Sequence, residues 1–320
     1  MLNVHERTIA APAHRVGALL DQMASDDDRL WPSPAWLPMR FDRPLQVGAD
    51  GGHGDVRYTV SDYEPGRRIE FTFQPGAGLD GRHELVVESL DEDRCVLRHI
   101  LTAQPRGLMR ILTPIMLLPL HNALLEDLLD NAEIAATGRL TRPARWSPWV
   151  RLWRGITEFP KPTAVSVPAA AALAREVFDR IDFADAWQVP LRPGLPVDPQ
   201  VWVDATFADP PRAVAGLMWL RNHLVRLVGI RRETRRAFDV INRTEGEVLL
   251  GTDSGHLDFR ASMLVDSGTV TLTTVTRINN RRGRFYMAFV SRIHPMVVRR
   301  MLRRGLRKLS EQPKRAAVRT

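Results

Sequence analysis

Residues 67–102, RRIEFTFQPGAGLDGRHELVVESLDEDRCVLRHILT, predict three β-strands in succession. Apolar and polar residues alternate through 67–73, 82–90 and 94–102, and this period of two is typical of strands with one buried face. Pro75 and the Asp80-Gly81 pair mark the turn between the first two strands. Because short turns join consecutive strands, the stretch predicts an antiparallel meander.

The flanking sequence completes a domain around this meander. Residues 55–63 alternate like a further strand, and residues 3–9 do the same at the start of the chain. Pro12 opens an amphipathic stretch that predicts a helix as far as Met23. A longer helical segment, roughly residues 108–136, follows the last strand. The predicted order is strand, helix, meander and long helix.

The second half repeats this order. One helix is predicted at 169–179, one or two between 199 and 228, and a closing helix at about 284–309. Strand-like runs lie near 187–191, 237–241, 247–251, 256–265 and 269–279. The closing helices of the two halves share a pattern of His, an apolar pair, two charges and an apolar pair, in residues 121–129 and 294–302. The pattern predicts one architecture for both halves, although a match of this length also arises by chance.

The first half resembles the START-like, polyketide-cyclase/dehydrase superfamily (SRPBCC). The resemblance covers roughly residues 1–138 and rests on the short strand, the Pro-opened helix APAHRVGALL, the Gly-rich turn into the meander and the closing helix. It implies a helix-grip fold, in which an antiparallel sheet wraps a long helix and leaves an apolar cavity. Some enzymes of this superfamily use cavity residues to steer aldol or dehydration chemistry.

The second half resembles the bacterial domain-of-unknown-function family 2867. The matching segments are FADAWQVPL, LRNHLVRLVGI, GHLDFRASMLV and NRRGRFYMAFVSRIHPMVVRRML, within roughly residues 166–309. The predicted fold class is therefore α+β, with two helix-grip-like domains, each an antiparallel sheet wrapped around a long C-terminal helix. We place the domains at 1–138 and 166–310, joined by a Trp- and Pro-containing linker at 139–165 that packs on one of them, and followed by a basic tail at 311–320.

Composition narrows the class of protein. The 320 residues are 44% hydrophobic and 26% charged, near globular averages, which excludes a disordered or collagen-like chain. No apolar signal region is visible near the start, and Pro114 and Pro119 interrupt the longest apolar stretch, so we expect a cytoplasmic protein without a transmembrane segment. The one cysteine, Cys95, permits no internal disulfide and no cysteine-based zinc site.

The net charge of +8 is concentrated at the C-terminus. Residues 281–320 contain 13 basic residues and one acidic residue, Glu311, whereas residues 1–280 contain 32 basic and 36 acidic residues. The predicted closing helix carries arginines on one side and apolar residues on the other, which fits an anionic membrane or phosphate surface. A solvated basic face, or pairing with the acidic closing helix of the first half in a homodimer, explains the pattern equally. No aromatic residues interleave the arginines, so nucleic acid is a poor candidate.

Motifs for catalysis or cofactor binding are weak. The letters GAGLDG at 76–81 match a dinucleotide fingerprint, but they lead into a strand rather than a helix, so a hairpin loop explains them better. The sequence has no zinc-protease motif, nucleophile elbow or phosphate loop. We predict no metal site and no cofactor, and leave open whether the protein is an enzyme.

Candidate binding residues follow from the predicted strands. The cavity of the first domain is expected to have apolar walls and a few polar contacts; the candidates are Trp31, Trp36, Tyr58, Phe71, Phe73 and Leu117 for the walls, and Arg57, His83 and His121 for the contacts. His99 is a further candidate for proton transfer, because a histidine near neutral pKa is a natural acid or base. Each histidine is equally explained by packing or solvent exposure.

A second polar group is predicted in the other half. His256, Asp258 and Arg260 project to one face of their strand, and Arg277 lies on the next strand. If this face lines a cavity, it makes a clamp for a carboxylate or phosphate. If it faces outward, which we favour, it is a solvated charge network.

The sequence predicts reversible binding of a hydrophobic small molecule, such as a lipid, fatty acyl or polyketide-like compound. The first alternative is an enzyme of the cyclase, dehydratase or hydrolase type that uses the same cavity. The second is a membrane- or nucleic-acid-associated adaptor that uses the basic C-terminal helix and the tryptophans at 146, 149 and 153.

Overall fold

The computed structural model describes residues 1–208 and 239–317. The chain divides into two compact units, Met1–Glu158 and Phe159–Gln312. The first unit ends twenty residues beyond the boundary predicted at 138, because the segment that follows the long helix packs back onto it.

The first unit contains one antiparallel sheet of seven strands. They are β1 (Leu2–Ile9), β2 (Met39–Phe41), β3 (Asp50–His53), β4 (Val56–Glu64), β5 (Arg68–Phe73), β6 (Leu79–Ser89) and β7 (Cys95–Pro105). Their order across the sheet is β1-β7-β6-β5-β4-β3-β2. The predicted meander is thus β4 to β7, and β1 closes the sheet by pairing with β7. β2 and β3 were not predicted, since they are short and pair through glycines.

Two helices of the first unit, α1 (Ala13–Asp21) and α3 (Leu118–Thr137), pack on this sheet. The short α2 (Met109–Leu112), which has no buried residue, and a π-helical turn (Thr113–Leu117) lead into α3. Leu120, Leu124 and Leu128, at intervals of four residues, place one face of α3 in the same core as Tyr58 and Phe71 of the sheet. The predicted sheet-and-helix arrangement of the first half is confirmed.

The expected linker belongs largely to the first unit. Residues 139–158 contain α4 (Pro148–Thr157), which Ser147 caps by accepting a hydrogen bond from Val150 N. Trp146 donates from Nε1 to Asp127 Oδ2 of α3 at 2.8 Å, and Trp36 donates to the same oxygen at 2.8 Å. The buried Arg154 guanidinium lies 3.6 Å from the Trp146 ring centroid. This aromatic cluster fixes the segment to α3.

The second unit is also an antiparallel sheet with a long closing helix. Its strands are β8 (Thr163–Val165), β9 (Phe183–Pro190), β10 (Val240–Arg243), β11 (Glu247–Asp253), β12 (Leu257–Asp266) and β13 (Thr269–Ile278), in the order β10-β11-β12-β13-β9-β8. Its helices are α5 (Ala172–Glu176), α6 (Pro199–Phe207) and α7 (Arg281–Ala317). The helix predicted at 169–179 is shorter than expected. The remainder of the helical prediction for 199–228, and the segment LRNHLVRLVGI, lie outside the described residues.

The basic closing helix uses its apolar side for the core of its own unit. Val298, Met301 and Leu302 are buried there. The arginine side is also partly engaged, since Arg303 Nε donates to the Phe159 carbonyl oxygen at 3.0 Å and Arg299 lies 5.2 Å from the Trp187 ring centroid. Fewer arginines of α7 are therefore free than the sequence pattern predicted.

One helical stretch among the described residues, Met109–Thr137, is long and apolar enough to cross a membrane by length and composition alone. Pro114 and Pro119 had predicted the opposite, since they interrupt the apolar sequence. The prolines lie in or next to the π-helical turn and do not end the helix. The part after Leu118 packs its leucines on the sheet, as a core helix does.

Candidate functional site

A cavity of about 480 Å³ lies within the first unit. Strands β2 to β7 contribute one part of its lining, and the helical stretch from Met109 to Leu128 contributes another. The predicted wall residues all line it; they are Trp31, Trp36, Tyr58, Phe71, Phe73 and Leu117. The predicted polar contacts His83 and His121 line it as well.

Arg57 does not line the cavity, and this part of the prediction is corrected. Successive side chains of a strand point to opposite faces, so the buried Tyr58 places its neighbour Arg57 on the other face of β4. Arg57 is exposed there. The polar part of the cavity lining contains histidines, Tyr58, Asp55, Thr157 and Glu158 and, among the described residues, no arginine.

Four histidines and one tyrosine form a contiguous polar cluster on the cavity wall. His99 Nε2 lies 3.2 Å from His83 Nδ1, a hydrogen bond in which one ring donates and the other accepts. Ring centroids are 4.9 Å apart for Tyr58 and His83, 5.1 Å for His99 and His121, and 6.2 Å for His53 and Tyr58. The cluster therefore links β3, β4, β6 and β7 to α3 through side chains alone.

Burial keeps these histidines neutral. Loss of solvation lowers the pKa of His53 to about 4 and that of His121 to about 3. Burial, followed by repulsion from neighbouring histidines, holds the pKa of His83 and His99 well below the usual value. Burial also raises the pKa of the Tyr58 hydroxyl. At neutral pH the cluster is a set of uncharged hydrogen-bonding groups.

Three polar atoms of this cluster are buried without a hydrogen-bond partner among the described residues. They are Tyr58 Oη, His99 Nδ1 and His121 Nδ1. An unpaired buried polar atom costs about 1–3 kcal/mol, so its presence on a cavity wall needs an explanation. A ligand that donates to or accepts from these atoms would remove that cost.

The predicted polar group of the second unit does not form a ligand clamp. Arg277 Nη2 donates to Asp258 Oδ2 at 2.9 Å across the β12–β13 pair. Arg260 Nη1 lies 2.7 Å from Asp253 Oδ1. Asp258 and Arg260 are only 4% and 8% exposed, so the face we expected in solvent is covered. Phe178 packs over this face, with its ring centroid 4.9 Å from the Arg260 guanidinium. The expectation of a solvated network is therefore corrected for Asp258 and Arg260, whereas Asp253, the partner of Arg260, is 68% exposed.

The opposite face of β12 lines a smaller cavity, of about 180 Å³. Leu257, Phe259 and Ala261 line it, and of the four predicted residues only His256, at the start of the strand, joins them. Asp258, Arg260 and Arg277 are not part of this lining. His294 of α7 also lines it, with Nε2 at 3.0 Å from Thr274 Oγ1 and 3.3 Å from Asp185 Oδ1.

Residues 177–301, within this second unit, match a family described as protein of unknown function, DUF2867. The match covers less than half of the chain. No curated protein matches the chain.

Solved structures similar to the chain include norcoclaurine synthase from Thalictrum flavum, with 13% sequence identity over 44% of this chain and 89% of that one, at a TM-score of 0.35. CalU16 from Micromonospora echinospora shows 17% identity over 42% of this chain and 76% of that one, at 0.32. A conserved protein of unknown function from Enterococcus faecalis shows 13% identity over 48% of this chain and 81% of that one, at 0.34.

His53 is the member of the polar cluster that the sequence did not predict. It ends β3, directly after Gly51 and Gly52, where a side chain at Gly51 would collide with the Arg40 carbonyl oxygen. Gly52 has φ near 143°, which an L side chain rarely adopts. The Gly-Gly-His triplet was the available signal, because paired glycines indicate a close approach of strands.

The cluster is suited to recognise uncharged polar groups. Neutral imidazoles both donate and accept, and the tyrosine hydroxyl does the same. In the described residues, 1–208 and 239–317, no three His, Cys, Asp or Glu side chains are grouped to hold a metal ion. An anionic ligand group would need a countercharge here, and the arginine predicted to supply it points elsewhere. The charged side chains that line the cavity are the carboxylates Asp55 and Glu158.

Proposed function

We propose that the first unit reversibly binds a hydrophobic small molecule in its 480 Å³ cavity. The observation that carries this proposal is an aromatic-lined cavity with three polar wall atoms, Tyr58 Oη, His99 Nδ1 and His121 Nδ1, that lack hydrogen-bond partners among the described residues. Its volume lies within the range of about 300–1,000 Å³ that is common for small-molecule sites. The class we favour is a lipid, fatty acyl or polyketide-like compound.

Apolar walls supply affinity and the polar cluster sets orientation. Removing apolar surface from water contributes about 25 cal/mol per Å², without directional preference. Tyr58, His99 and His121 then distinguish ligands by where an uncharged hydroxyl, carbonyl or ester group lies along the molecule. We expect a long-chain alcohol or methyl ester to bind more tightly than the ionised carboxylate of equal length.

Native mass spectrometry of the freshly purified chain, repeated after denaturation, is the first test. A bound apolar species of defined mass would support the proposal and identify compounds for titration. The titration displaces a fluorescent fatty-chain probe with an alcohol, a methyl ester and a carboxylate of one chain length. No displacement by any of the three would contradict the proposal.

Two variants distinguish binding in the cavity from nonspecific binding to the protein surface. Tyr58→Phe removes one cavity hydroxyl and should weaken binding of the preferred ligand about five- to tenfold, the value of one hydrogen bond. Arg57→Ala, one residue away but on the exposed face, should leave binding unchanged. Equal effects of the two variants would place the ligand outside the cavity.

The enzymatic alternative has one observation in its favour, the hydrogen-bonded His83–His99 pair beside the Tyr58 ring. The lowered pKa values make these histidines weak bases at neutral pH, which favours binding over proton transfer. An enzyme of the cyclase, dehydratase or hydrolase type predicts that His83→Gln abolishes turnover of a bound ligand while preserving its affinity. Ligand recovered chemically unchanged after incubation would count against it.

A further inference from the structure

Two short segments of the first unit present large apolar side chains to solvent. In the first, Leu108 is 67% exposed and Ile111 is 60% exposed; in the second, Leu152 is 54% exposed and Ile156 is 58% exposed. Ile115 and Trp149 are also exposed in the same two segments. Successive members are three or four residues apart, so each segment carries them along one helical face.

The two segments form one surface. Trp149 of α4 donates from Nε1 to the carbonyl oxygen of Ile115 in the π-helical turn at 2.6 Å. We call this surface, defined by Leu108, Ile111, Ile115, Trp149, Leu152 and Ile156, the apolar ridge. Soluble proteins rarely expose a contiguous apolar patch of this kind unless it contacts a partner.

The inner faces of the same segments are already used. Val150 of α4 is buried in the core of the first unit. Met109, Met116 and Leu117 line the 480 Å³ cavity. The ridge is therefore the remaining, outward face of elements that also enclose the cavity.

The ridge segments themselves carry only positive charge. Residues 105–125 and 134–157 contain seven arginines, no lysine and no acidic residue. A carboxylate from a neighbouring strand reaches one of these arginines, since Asp80 pairs with Arg106. Arg110 and Arg151, which lie within the ridge segments, are exposed and have no carboxylate partner among the described residues.

The geometry points to a docking surface for an anionic phospholipid membrane. Exposed apolar side chains at helical spacing, flanked by arginines, fit the boundary between headgroups and acyl chains, where the cations meet lipid phosphates. Trp149 suits this boundary, since its ring is apolar and its N–H is polar. Charge complementarity selects an anionic lipid surface over an apolar protein partner. Docking needs no ligand in the cavity and does not rest on the proposed function.

The test is sedimentation of the full chain with vesicles. One set contains phosphatidylcholine alone, and the other contains phosphatidylcholine mixed with phosphatidylglycerol. We expect binding to the mixed vesicles, weakened by added salt, and little binding to the neutral ones. Equal binding to both sets, or none to the mixed set, would overturn the inference.

Three variants locate the surface. Leu152→Glu with Ile156→Glu should reduce binding to mixed vesicles at least about tenfold, because two apolar side chains no longer leave water. Arg110→Glu with Arg151→Glu should reduce it by a similar factor, since each arginine near an anionic surface strengthens binding about fivefold. Leu90→Glu is the matched control: Leu90 is also 54% exposed but lies in the β6–β7 turn, at the opposite end of β7 from the ridge, and should bind like the original chain.

Folding and self-association are checked in the same samples. All substituted side chains are exposed, so circular dichroism and thermal unfolding should match the original chain. A decrease with Leu90→Glu equal to that with Leu152→Glu and Ile156→Glu would overturn the inference. So would a concentration-dependent dimer that the ridge variant abolishes, because the ridge would then be covered by a second copy.

Discussion

Histidines on the cavity wall give the first unit its particular chemistry at the residue scale. His53, His83, His99 and His121 lie on one cavity wall, and each has a pKa lowered chiefly by loss of solvation. Folding therefore holds them in the uncharged form. The energetic consequence appears only below the pH at which a histidine in the unfolded chain gains a proton.

Stability should fall as the pH is lowered below about 6.5, the ordinary pKa of histidine. In that range the unfolded state binds protons that the folded state does not, so protonation favours unfolding. The loss is about 1.4 kcal/mol per pH unit for each histidine, and it continues to about pH 4 for His53. Urea unfolding between pH 7 and about pH 5, where carboxylates are still ionised, measures this slope.

His53→Phe tests the assignment. The His53 ring has no hydrogen bond among the described residues, and its centroid lies 4.9 Å from that of the Trp31 ring, so an aromatic replacement keeps the contact. The variant should show a shallower decline of stability with falling pH. An unchanged slope would mean that His53 is protonated to the same extent in the folded and unfolded states.

At the scale of elements, the attachment of α4 depends on one carboxylate of α3. Asp127 is buried and accepts hydrogen bonds from the indole N–H groups of Trp36 and Trp146. Arg154 lies over both rings and donates to the Ala35 carbonyl oxygen. The sequence showed the tryptophans, but their common acceptor is nineteen residues from one and ninety-one from the other.

Asp127→Ala should lower the free energy of unfolding by about 3 kcal/mol or more, because it leaves two buried N–H donors unpaired beside a buried guanidinium. Asp127→Asn retains an acceptor oxygen and should cost less. Asp26→Ala, at an exposed acidic position, is the control and should have little effect. Urea unfolding followed by tryptophan fluorescence gives the three values; equal stability of the alanine and asparagine variants would contradict this role for Asp127.

At the scale of the molecule, each unit has its own hydrophobic core. The first core draws its buried members from residues 9–150, and the second from residues 159–309. Leu125 belongs to the first and Leu302 to the second. Independent cores predict that damage to one unit leaves the other folded.

Leu125→Ala and Leu302→Ala test this independence. Each deletes most of a buried leucine and should cost about 2–5 kcal/mol in its own unit. Calorimetry should show two transitions, with a different one displaced to lower temperature in each variant. A single transition that moves equally in both variants would show that the units unfold together.

The sequence by itself determined the repeated order of elements, the antiparallel meander and most of the cavity wall. Those features rest on local periodicity: Tyr58, Phe71 and Phe73 alternate on strands, and the leucines of α3 recur at helical spacing. Arg57 was placed wrongly because proximity along the chain to Tyr58 does not give a shared face. His53 was missed because its strand is only four residues long.

Only the tertiary structure decided which polar groups meet. The His53–Tyr58–His83–His99–His121 cluster joins five elements, and no local pattern encodes their distances or their shared burial. The Asp258–Arg277 network is a second example. Strand alternation correctly predicted which face of β12 carries Asp258, but it did not predict that Phe178 packs over that face. Periodicity specifies the direction of a side chain within its element, whereas solvation, and with it charge state, depends on the elements that pack against it.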